Sequence, residues 1–233
     1  RGYLMKKIFL DCGTHLGWGF EHFRKKYSFD ETWEIHLFEP NPNLKNYIIE
    51  NVVNKHPNLN IAFHELAIGS LNTPRRQTIS LQTLGEDPKG IHPAGATGGG
   101  SSIVSTEYFK EGELENYETV EVSTAPLSSI IYQLATKAYN EDNSICAVVN
   151  TEHGRQVSTL YRDKCNDVVK LDVEGAEYEI LPEIIKNGIG SWLTDIWIEF
   201  HSRRFSNESE LREIEVQSVG KLFQMGVVCY PHW

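Results

Sequence analysis

The feature of this sequence that most constrains its fold is a repeated alternation of short apolar runs with segments of helical period. An apolar run at 7–12 is followed by aromatic residues at helical spacing, and a second run at 34–39 is followed by Asn41 and Pro42. Asn41 can cap a helix that has Pro42 at its first position. Such alternation is typical of βαβ units, so it predicts an α/β fold with a Rossmann-like, doubly wound, mostly parallel sheet.

The remaining apolar runs complete this pattern and leave one irregular region. We expect strands at 60–66 (running on into 67–69), 168–173, 194–200 and 227–230, and helices at 126–139, at 176–186 with a bend at Pro182, and after Asn207, which with Glu210 resembles a capping box. Residues 70–166 predict an insertion or lid between the third and fourth core strands, with solvent-facing strands at 77–82 and 118–123 and a hinge at 98–100. Residues 140–166 are expected to be mostly loop. We expect one domain over 1–233.

Composition excludes several classes of protein. Lys and Arg total 22 against 32 Asp and Glu among 233 residues, a net charge of −10 that argues against non-specific nucleic-acid binding. No run is long and apolar enough for a membrane span, and no signal peptide is evident, with Met5 as the expected native start. The four cysteines form no C-x-x-C pair, which predicts reduced thiols in a cytoplasmic protein.

The turn after the first strand reads Asp11-Cys12-Gly13-Thr14-His15-Leu16-Gly17. Its glycines allow a ligand to approach the backbone and the following helix N-terminus. His15 stands where a dinucleotide fingerprint has its second glycine, and no P-loop lysine follows, so both of those nucleotide sites are disfavoured. Glu39 ends the neighbouring strand, where its carboxylate can accept both hydroxyls of a ribose.

A second group of polar residues follows the fourth and fifth core strands. Asp172 and Glu174 end one strand, and Glu199 and His201 end the next, on the same predicted edge as Asp11 and Glu39. Converging carboxylates are costly unless a substrate cation, a divalent metal or Lys170 compensates their charge. Glu177, in the first turn of the following helix, is interpreted as a partner of the helix dipole.

These residues carry a resemblance to the FkbM family of class I S-adenosylmethionine-dependent methyltransferases. The matching stretches, in the family's order, are F-L-D-C-G-T-H-L-G, L-F-E-P-N-P, E-L-A-I-G-S, G-G-S-S-I, V-V-K-L-D-V-E-G-A-E-Y-E-I-L and I-W-I-E-F-H. The resemblance implies S-adenosylmethionine as the cofactor. Such folds usually end in an antiparallel hairpin, whereas this sequence shows one clear strand near its C-terminus.

The resemblance also implies a role for each matching position. Asp11, Gly13 and Gly17 would surround the methionine part of the cofactor, Glu39 would hold the ribose, and Asp172 would face the methyl group. Ala67 and Ile68 would lie beside the adenine. The implied cofactor-binding set is completed by Thr14, His15 and Pro40.

The strand tip Leu171-Asp172-Val173-Glu174 lacks the Asn/Asp-Pro-Pro-Tyr/Phe motif of base-methylating enzymes, so a hydroxyl acceptor is favoured over a nucleobase. A hydroxyl needs a base or a metal. Our hypothesis is that Asp172 and Glu199 hold a divalent cation such as Mg²⁺ or Mn²⁺ or orient the hydroxyl, with His201 or Glu174 as the base. The family acts largely on hydroxyls of sugars and natural products, and we favour a sugar or glycan, with aromatic residues such as Trp18, Tyr108 and Phe109 available to stack on it.

Other functions stay open at this point. The acceptor could be a non-sugar natural product, or the chain could be a non-catalytic cofactor-fold module of a larger glycan-modifying protein. A nucleotide-dependent oxidoreductase is disfavoured because the G-x-G-x-x-G motif is absent.

Overall fold

The computed structural model describes residues 7–82, 102–104, 106–111, 117–142 and 167–231. Its strands, in chain order, are β1 (Lys7–Cys12), β2 (Trp33–Phe38), β3 (Asn60–His64), β4 (Ala67–Gly69), β5 (Arg76–Gln82), β6 (Tyr117–Pro126), β7 (Asp167–Leu171), β8 (Asp195–Ile198) and β9 (Val228–Pro231). Its α-helices are α1 (Trp18–Tyr27), α2 (Lys45–Ile48), α3 (Leu127–Asp142), α4 (Glu177–Lys186) and α5 (Glu208–Gln224).

The central sheet has six strands in the order β3-β2-β1-β7-β8-β9, and all of its pairings are parallel. The predicted Rossmann-like, mostly parallel sheet is therefore confirmed. The strand order reverses at β1, whose neighbours are β2 on one side and β7 on the other. Ligands of such sheets bind in the crevice outside the carboxyl ends of the strands at this reversal.

Helices cover both faces of the central sheet, which is why its strands read as nearly continuous apolar runs. On one face Phe9, Ile35 and Leu37 pack with residues of α1 and α2. On the other face Leu10 and Ile196 belong to a second cluster with residues of α3, α4 and α5. The sheet is thus held rigidly between two cores, and only its edges are free to form a site.

A smaller sheet, in the order β4-β6-β5, occupies the described part of the predicted insertion. Its antiparallel β5–β6 pair confirms the strands expected at 77–82 and 118–123. The prediction that they face solvent is wrong for one face, because Ile79 and Leu81 are fully buried beside Ala67 and Val122. The single strand expected at 60–69 is also wrong: β3 ends at His64, and β4 joins the other sheet.

Two predicted helix starts have different outcomes. The side chain of Asn41 accepts a hydrogen bond from the backbone N–H of Asn43 over 3.0 Å, and Pro42 opens the 3-10 turn that leads into α2, as expected. The capping box at Asn207 is wrong, because its side chain makes no capping bond to the backbone of α5. It donates instead to Oε2 of Glu210 over 3.3 Å. Pro182 lies inside α4 as predicted.

Some expectations fall on parts of the chain that are not described. The hinge at 98–100, most of the loop at 140–166, the native start at Met5, Cys146 and Cys165 lie outside the described residues. Cys12 and Cys229 are free thiols. Among the described residues, no helix has both the length and the apolar character that a membrane span needs.

Candidate functional site

A cavity of about 240 Å³ lies at the carboxyl edge of the central sheet, beside the strand-order reversal. Its lining comes from the tips of β1, β2, β7 and β8 and from the smaller sheet. The described lining residues are Gly13, His15, Phe38, Glu39, Pro40, Ala67, Ile68, Ile79, Ile103, Asp172, Val173, Glu174 and Glu199. Both polar groups singled out from the sequence therefore meet at one cavity.

The turn after β1 requires glycine at position 13. Gly13 has a φ of +86°, and a Cβ placed there would lie 1.8 Å from the carbonyl oxygen of Asp172. Its N–H and that of Thr14 both donate to the carbonyl oxygen of Phe38, over 3.0 Å each. The turn is thus pressed against the tips of both neighbouring strands, which leaves backbone rather than side chain facing the cavity.

Glu39 is a buried carboxylate that the backbone holds in place. Its Oε2 accepts from the N–H of His15 over 2.8 Å, and its Oε1 accepts from the N–H of Asn41 over 2.9 Å. Burial raises the pKa of Glu39 to about 7, and these two hydrogen bonds and the charge of Lys170 only partly oppose that shift. Each oxygen has a second lone pair, so the carboxylate can still accept from ligand hydroxyls.

Lys170, which the sequence offered as one possible compensating charge, lies beneath the cavity. Its Nζ is 3.1 Å from Oδ1 of Asp11 and 3.2 Å from Oδ2 of Asp172, and it also donates to the carbonyl oxygen of Gly13. The side chain of Lys170 is only 4% exposed. Although burial opposes the charged form, the two carboxylates raise the pKa of Lys170, while burial raises the pKa of Asp11.

The segment Val173-Glu174-Gly175 forms a tight turn that leads into α4. Glu174 has a positive φ of 53°, and its carbonyl oxygen accepts from Oγ of Ser102 over 2.6 Å. The carboxylate of Glu174 pairs with Nη1 of Arg204, which follows β8. Burial nevertheless raises the pKa of Glu174 to about 8, against the opposing charges of His201 and Arg204.

His201 is buried at the centre of the acidic group. Its Nε2 lies 3.4 Å from Oε2 of Glu174, 3.8 Å from Oδ1 of Asp172 and 3.8 Å from Oε1 of Glu199. Its Nδ1 lies 3.1 Å from Oε1 of Glu177. Burial lowers the pKa of His201, but the hydrogen bond to Glu177 and the surrounding carboxylate charges outweigh it and raise the pKa to about 9.

Asp172, Glu199 and His201 form a possible donor set for a metal ion. One ligand atom from each residue can be chosen so that the three atoms lie within 4.8 Å of one another. Two carboxylate oxygens and one imidazole nitrogen suit a divalent cation such as Mn²⁺, and Mg²⁺ would rely on the carboxylates and water. Burial and the charge of Asp172 raise the pKa of Glu199, which is the most exposed of the three.

The structure brings most of the predicted site residues to this cavity. Asp11, Thr14 and Gly17 are not among the lining residues: Thr14 donates from Oγ1 to the carbonyl oxygen of Asp11 over 3.2 Å, and Gly17 packs against Val52. Their assignment to the cofactor stays a prediction. His201 lies behind Asp172 and Glu174 rather than in the lining.

Sequence reasoning missed two kinds of residue at the site. The apolar lining includes Ile79 and Ile103, which come from the insertion, and the alternation of β5 was the one signal for Ile79. Glu177 was interpreted as a helix-dipole partner, whereas it is fully buried and bonded to His201.

Comparison with protein families supports the interpretation of the strand tips. The model of the methyltransferase FkbM domain matches residues 11–218 of the chain. The chain belongs to the FkbM methyltransferase family. The matched range contains every strand tip that lines the cavity, and the fold is the α/β fold of class I methyltransferases. In this FkbM protein β9 is parallel to β8, and no antiparallel strand joins the central sheet among the described residues.

Searches among curated proteins and among solved structures found no significant match.

Proposed function

We propose that this FkbM methyltransferase transfers a methyl group from S-adenosylmethionine to a hydroxyl group, most plausibly of a sugar or glycan. The observation that carries the proposal is the composition of the cavity. A backbone-held carboxylate, Glu39, lies on one part of its wall, and the group formed by Asp172, Glu174 and Glu199 lies on another. The first suits a nucleoside, and the second suits a reacting hydroxyl.

The lining fits the proposed cofactor. Glu39 would accept from the ribose hydroxyls, the apolar side chains of Ile68 and Ile79 would contact the adenine, and Gly13 would leave room for the methionine part. When bound, the cofactor supplies an electrophilic methyl group on a positively charged sulfur. The carboxylate of Asp172, held between Lys170 and His201, favours a positive charge in this part of the cavity.

Methyl transfer to a hydroxyl forms a bond between the acceptor oxygen and the methyl carbon and breaks the carbon–sulfur bond, whose electron pair stays on sulfur. The hydroxyl proton must leave. The protein's work is to position the acceptor oxygen and to take that proton. Nε2 of His201, in its neutral form, is the proposed acceptor of the proton, and Glu174, with its pKa raised to about 8, is the alternative.

A divalent cation is the second way to activate the hydroxyl. Asp172 and Glu199, with Nε2 of His201, would hold Mg²⁺ or Mn²⁺, which would lower the pKa of a bound hydroxyl. In that version Glu174 is the remaining base. Removal of cations by a chelator separates the two versions: methyl transfer that survives chelation excludes the cation, and methyl transfer that is lost and then restored by Mn²⁺ supports it.

The choice of a sugar acceptor rests on the site entrance as well as on the family. Trp18 and Tyr108 are 55% and 52% exposed, so their rings are accessible for stacking on a sugar face. Phe109 is buried against Phe205, with ring centroids 4.4 Å apart, and is not accessible in this way. A non-sugar natural product with a hydroxyl group fits the same chemistry and is an outcome of the acceptor test.

Calorimetry with S-adenosylhomocysteine tests the cofactor half of the proposal. We expect micromolar binding or tighter, about −8 kcal/mol, in the unmodified chain. Glu39→Ala should lose it, and Glu31→Ala, which removes an exposed carboxylate ahead of β2, should keep it. Absence of binding would contradict the proposal.

A panel of sugars, glycans and hydroxylated natural products, assayed with labelled S-adenosylmethionine, tests the acceptor half. Methylation of a sugar hydroxyl is the expected result. Methylation of only non-sugar hydroxyls would change the acceptor class. Binding without turnover on the whole panel would favour a non-catalytic module.

A further inference from the structure

Glu177, the first residue of α4, is a carboxylate with 0% exposure. A partner of the helix dipole would keep its charge in water, so that role does not explain complete burial. Three polar atoms surround the carboxylate. Oε1 accepts from the N–H of Val173 over 2.9 Å, Oε2 accepts from the N–H of Gly175 over 2.8 Å, and Nδ1 of His201 lies 3.1 Å from Oε1. The side chain therefore joins the turn after β7 to the tip of β8.

We propose that Glu177 is the positioning residue for His201: it fixes a proton on Nδ1 and aims Nε2 at the reacting hydroxyl. The proposal rests on the proposed function, because it gives Glu177 a role only in activating that hydroxyl. Glu177 does not line the cavity and would touch neither cofactor nor acceptor.

The chemistry of the contact sets the direction of this hydrogen bond. An ionised carboxylate only accepts hydrogen bonds, and two backbone N–H groups already point at the two oxygens of Glu177. Nδ1 of His201 must then be the donor. An imidazole that donates from Nδ1 has its lone pair on Nε2, or carries a second proton there.

The orientation of the ring gives this choice its consequence. Nε2 faces Asp172, Glu174 and Glu199, at 3.4 to 3.8 Å, and these three residues line the cavity. Nε2 is therefore the nitrogen that would take the hydroxyl proton, and it is also the nitrogen that would bind a cation. Both versions of the mechanism need Nδ1 to be protonated and the ring to be held, as a second carboxylate does for the histidine of a catalytic triad or a metal site.

A purely structural role for Glu177 makes a different prediction. In that case the carboxylate would serve only to satisfy the N–H groups of Val173 and Gly175. Its replacement would lower the stability of the turn but would leave the protonation and orientation of the His201 ring as they were. The state of the ring thus separates the two roles.

Nitrogen NMR of the histidine rings in the free protein tests the proposal without an acceptor. The His201 signals are assigned by their loss in His201→Gln. We expect Nδ1 to be protonated and its proton to exchange slowly with water. In Glu177→Gln we expect that proton to exchange at least tenfold faster or to be replaced by one on Nε2. Glu179→Gln is the matched control, since it removes another carboxylate from the first turn of α4, whose partner is Ser70, and it should change nothing.

Two results would overturn the proposal: an unprotonated Nδ1 in the unmodified protein, or His201 signals that are unchanged in Glu177→Gln. If Glu177→Gln does not fold, the measurement on the unmodified protein still decides. Glu177→Asp, which keeps the charge but shortens the side chain, then supplies the second variant, and its expected signature is the same loss of protection at Nδ1.

Enzyme kinetics provide the functional readout once the panel yields an acceptor. Glu177→Gln should lower kcat by about 10- to 100-fold, with affinity for S-adenosylhomocysteine changed by less than about twofold. In a His201→Gln background it should cause no further loss, because its effect passes through His201. An equal loss in both backgrounds would contradict the proposal. Failure of S-adenosylhomocysteine to bind the unmodified chain would instead contradict the proposed function, and the NMR result would stand separately.

Discussion

The backbone N–H of His15 donates a hydrogen bond of 2.8 Å to Oε2 of Glu39 and so ties the turn after β1 to the tip of β2. With the second bond from Asn41, it fixes the orientation of the carboxylate before any ligand arrives. Burial still raises the pKa of Glu39 to about 7, so near neutral pH the group is well placed but only partly ionised.

We therefore expect cofactor affinity to fall as the pH is lowered through 7. Ribose hydroxyls donate to the ionised carboxylate, so binding favours the form of Glu39 that has lost its proton. Below a pKa of about 7, each pH unit should weaken binding about tenfold, or about 1.4 kcal/mol, and above it the affinity should be level. Calorimetry with S-adenosylhomocysteine on both sides of pH 7 measures this. Glu31→Gln should keep the dependence and Glu39→Gln should lose it; the same dependence in Glu39→Gln would contradict the assignment.

Replacement of Gly13 by alanine should damage the site more than its backbone angle alone explains. The added Cβ would lie 1.8 Å from the carbonyl oxygen of Asp172, in addition to the strain of a φ of +86°. Gly188→Ala is the matched control, because Gly188 has a φ of +73° with nothing within 4 Å. We expect about 1 kcal/mol of lost stability for Gly188→Ala and at least about 3 kcal/mol for Gly13→Ala.

Urea unfolding followed by fluorescence measures both variants. Gly220→Ala, inside α5 and also in open space, should stabilise by about 1 kcal/mol and calibrates the experiment. Equal losses for Gly13→Ala and Gly188→Ala would mean that the turn can move away from Asp172.

Lys170→Met should destabilise the protein strongly. The substitution keeps much of the side-chain volume but leaves Asp11 and Asp172 without the cation that lies 3.1 and 3.2 Å from them. Breaking a buried ion pair in this way costs about 3–5 kcal/mol. Lys110→Met, which breaks a partly exposed pair with Glu208, should cost less than about 1 kcal/mol. Similar losses for the two variants, measured by denaturant unfolding, would contradict the role given to Lys170.

Tyr27→Phe should lower stability and leave cofactor binding unchanged. The hydroxyl of Tyr27 donates to Asp195 and accepts from Nε1 of Trp197 over 2.8 Å. Asp195 begins β8, so this network lies at the opposite edge of the sheet from the cavity. Loss of the hydroxyl should cost about 1–3 kcal/mol of unfolding free energy. A change of more than about threefold in affinity for S-adenosylhomocysteine would show that the two edges are coupled.

The sequence predicted the central sheet well because burial on both faces leaves a continuous apolar run for each strand. It also located Glu39, Asp172 and Glu199, since the carboxyl ends of parallel strands meet at one edge. The break between β3 and β4 had no such signal. The apolar residues continue from Ile61 to Ile68, and the backbone separates there because Leu66 N–H turns back to the carbonyl oxygen of His64.

The role proposed for Glu177 could not be derived from sequence for a related reason. A carboxylate in the first turn of a helix fits the helix dipole, and local pattern offers no other partner. Its partner His201 follows a different strand, 24 residues further along the chain. Contacts between strand tips depend on the order of strands in the sheet, which apolar periodicity does not encode.

Ile79 belongs to the smaller sheet, yet it lines the same cavity as Gly13 and Asp172 of the central sheet. A ligand in that cavity would therefore contact both sheets at once and act as a non-covalent staple between them. Amide hydrogen exchange should register this as slower opening of the β5–β6 hairpin, even though the hairpin carries none of the charged groups on which the chemistry depends.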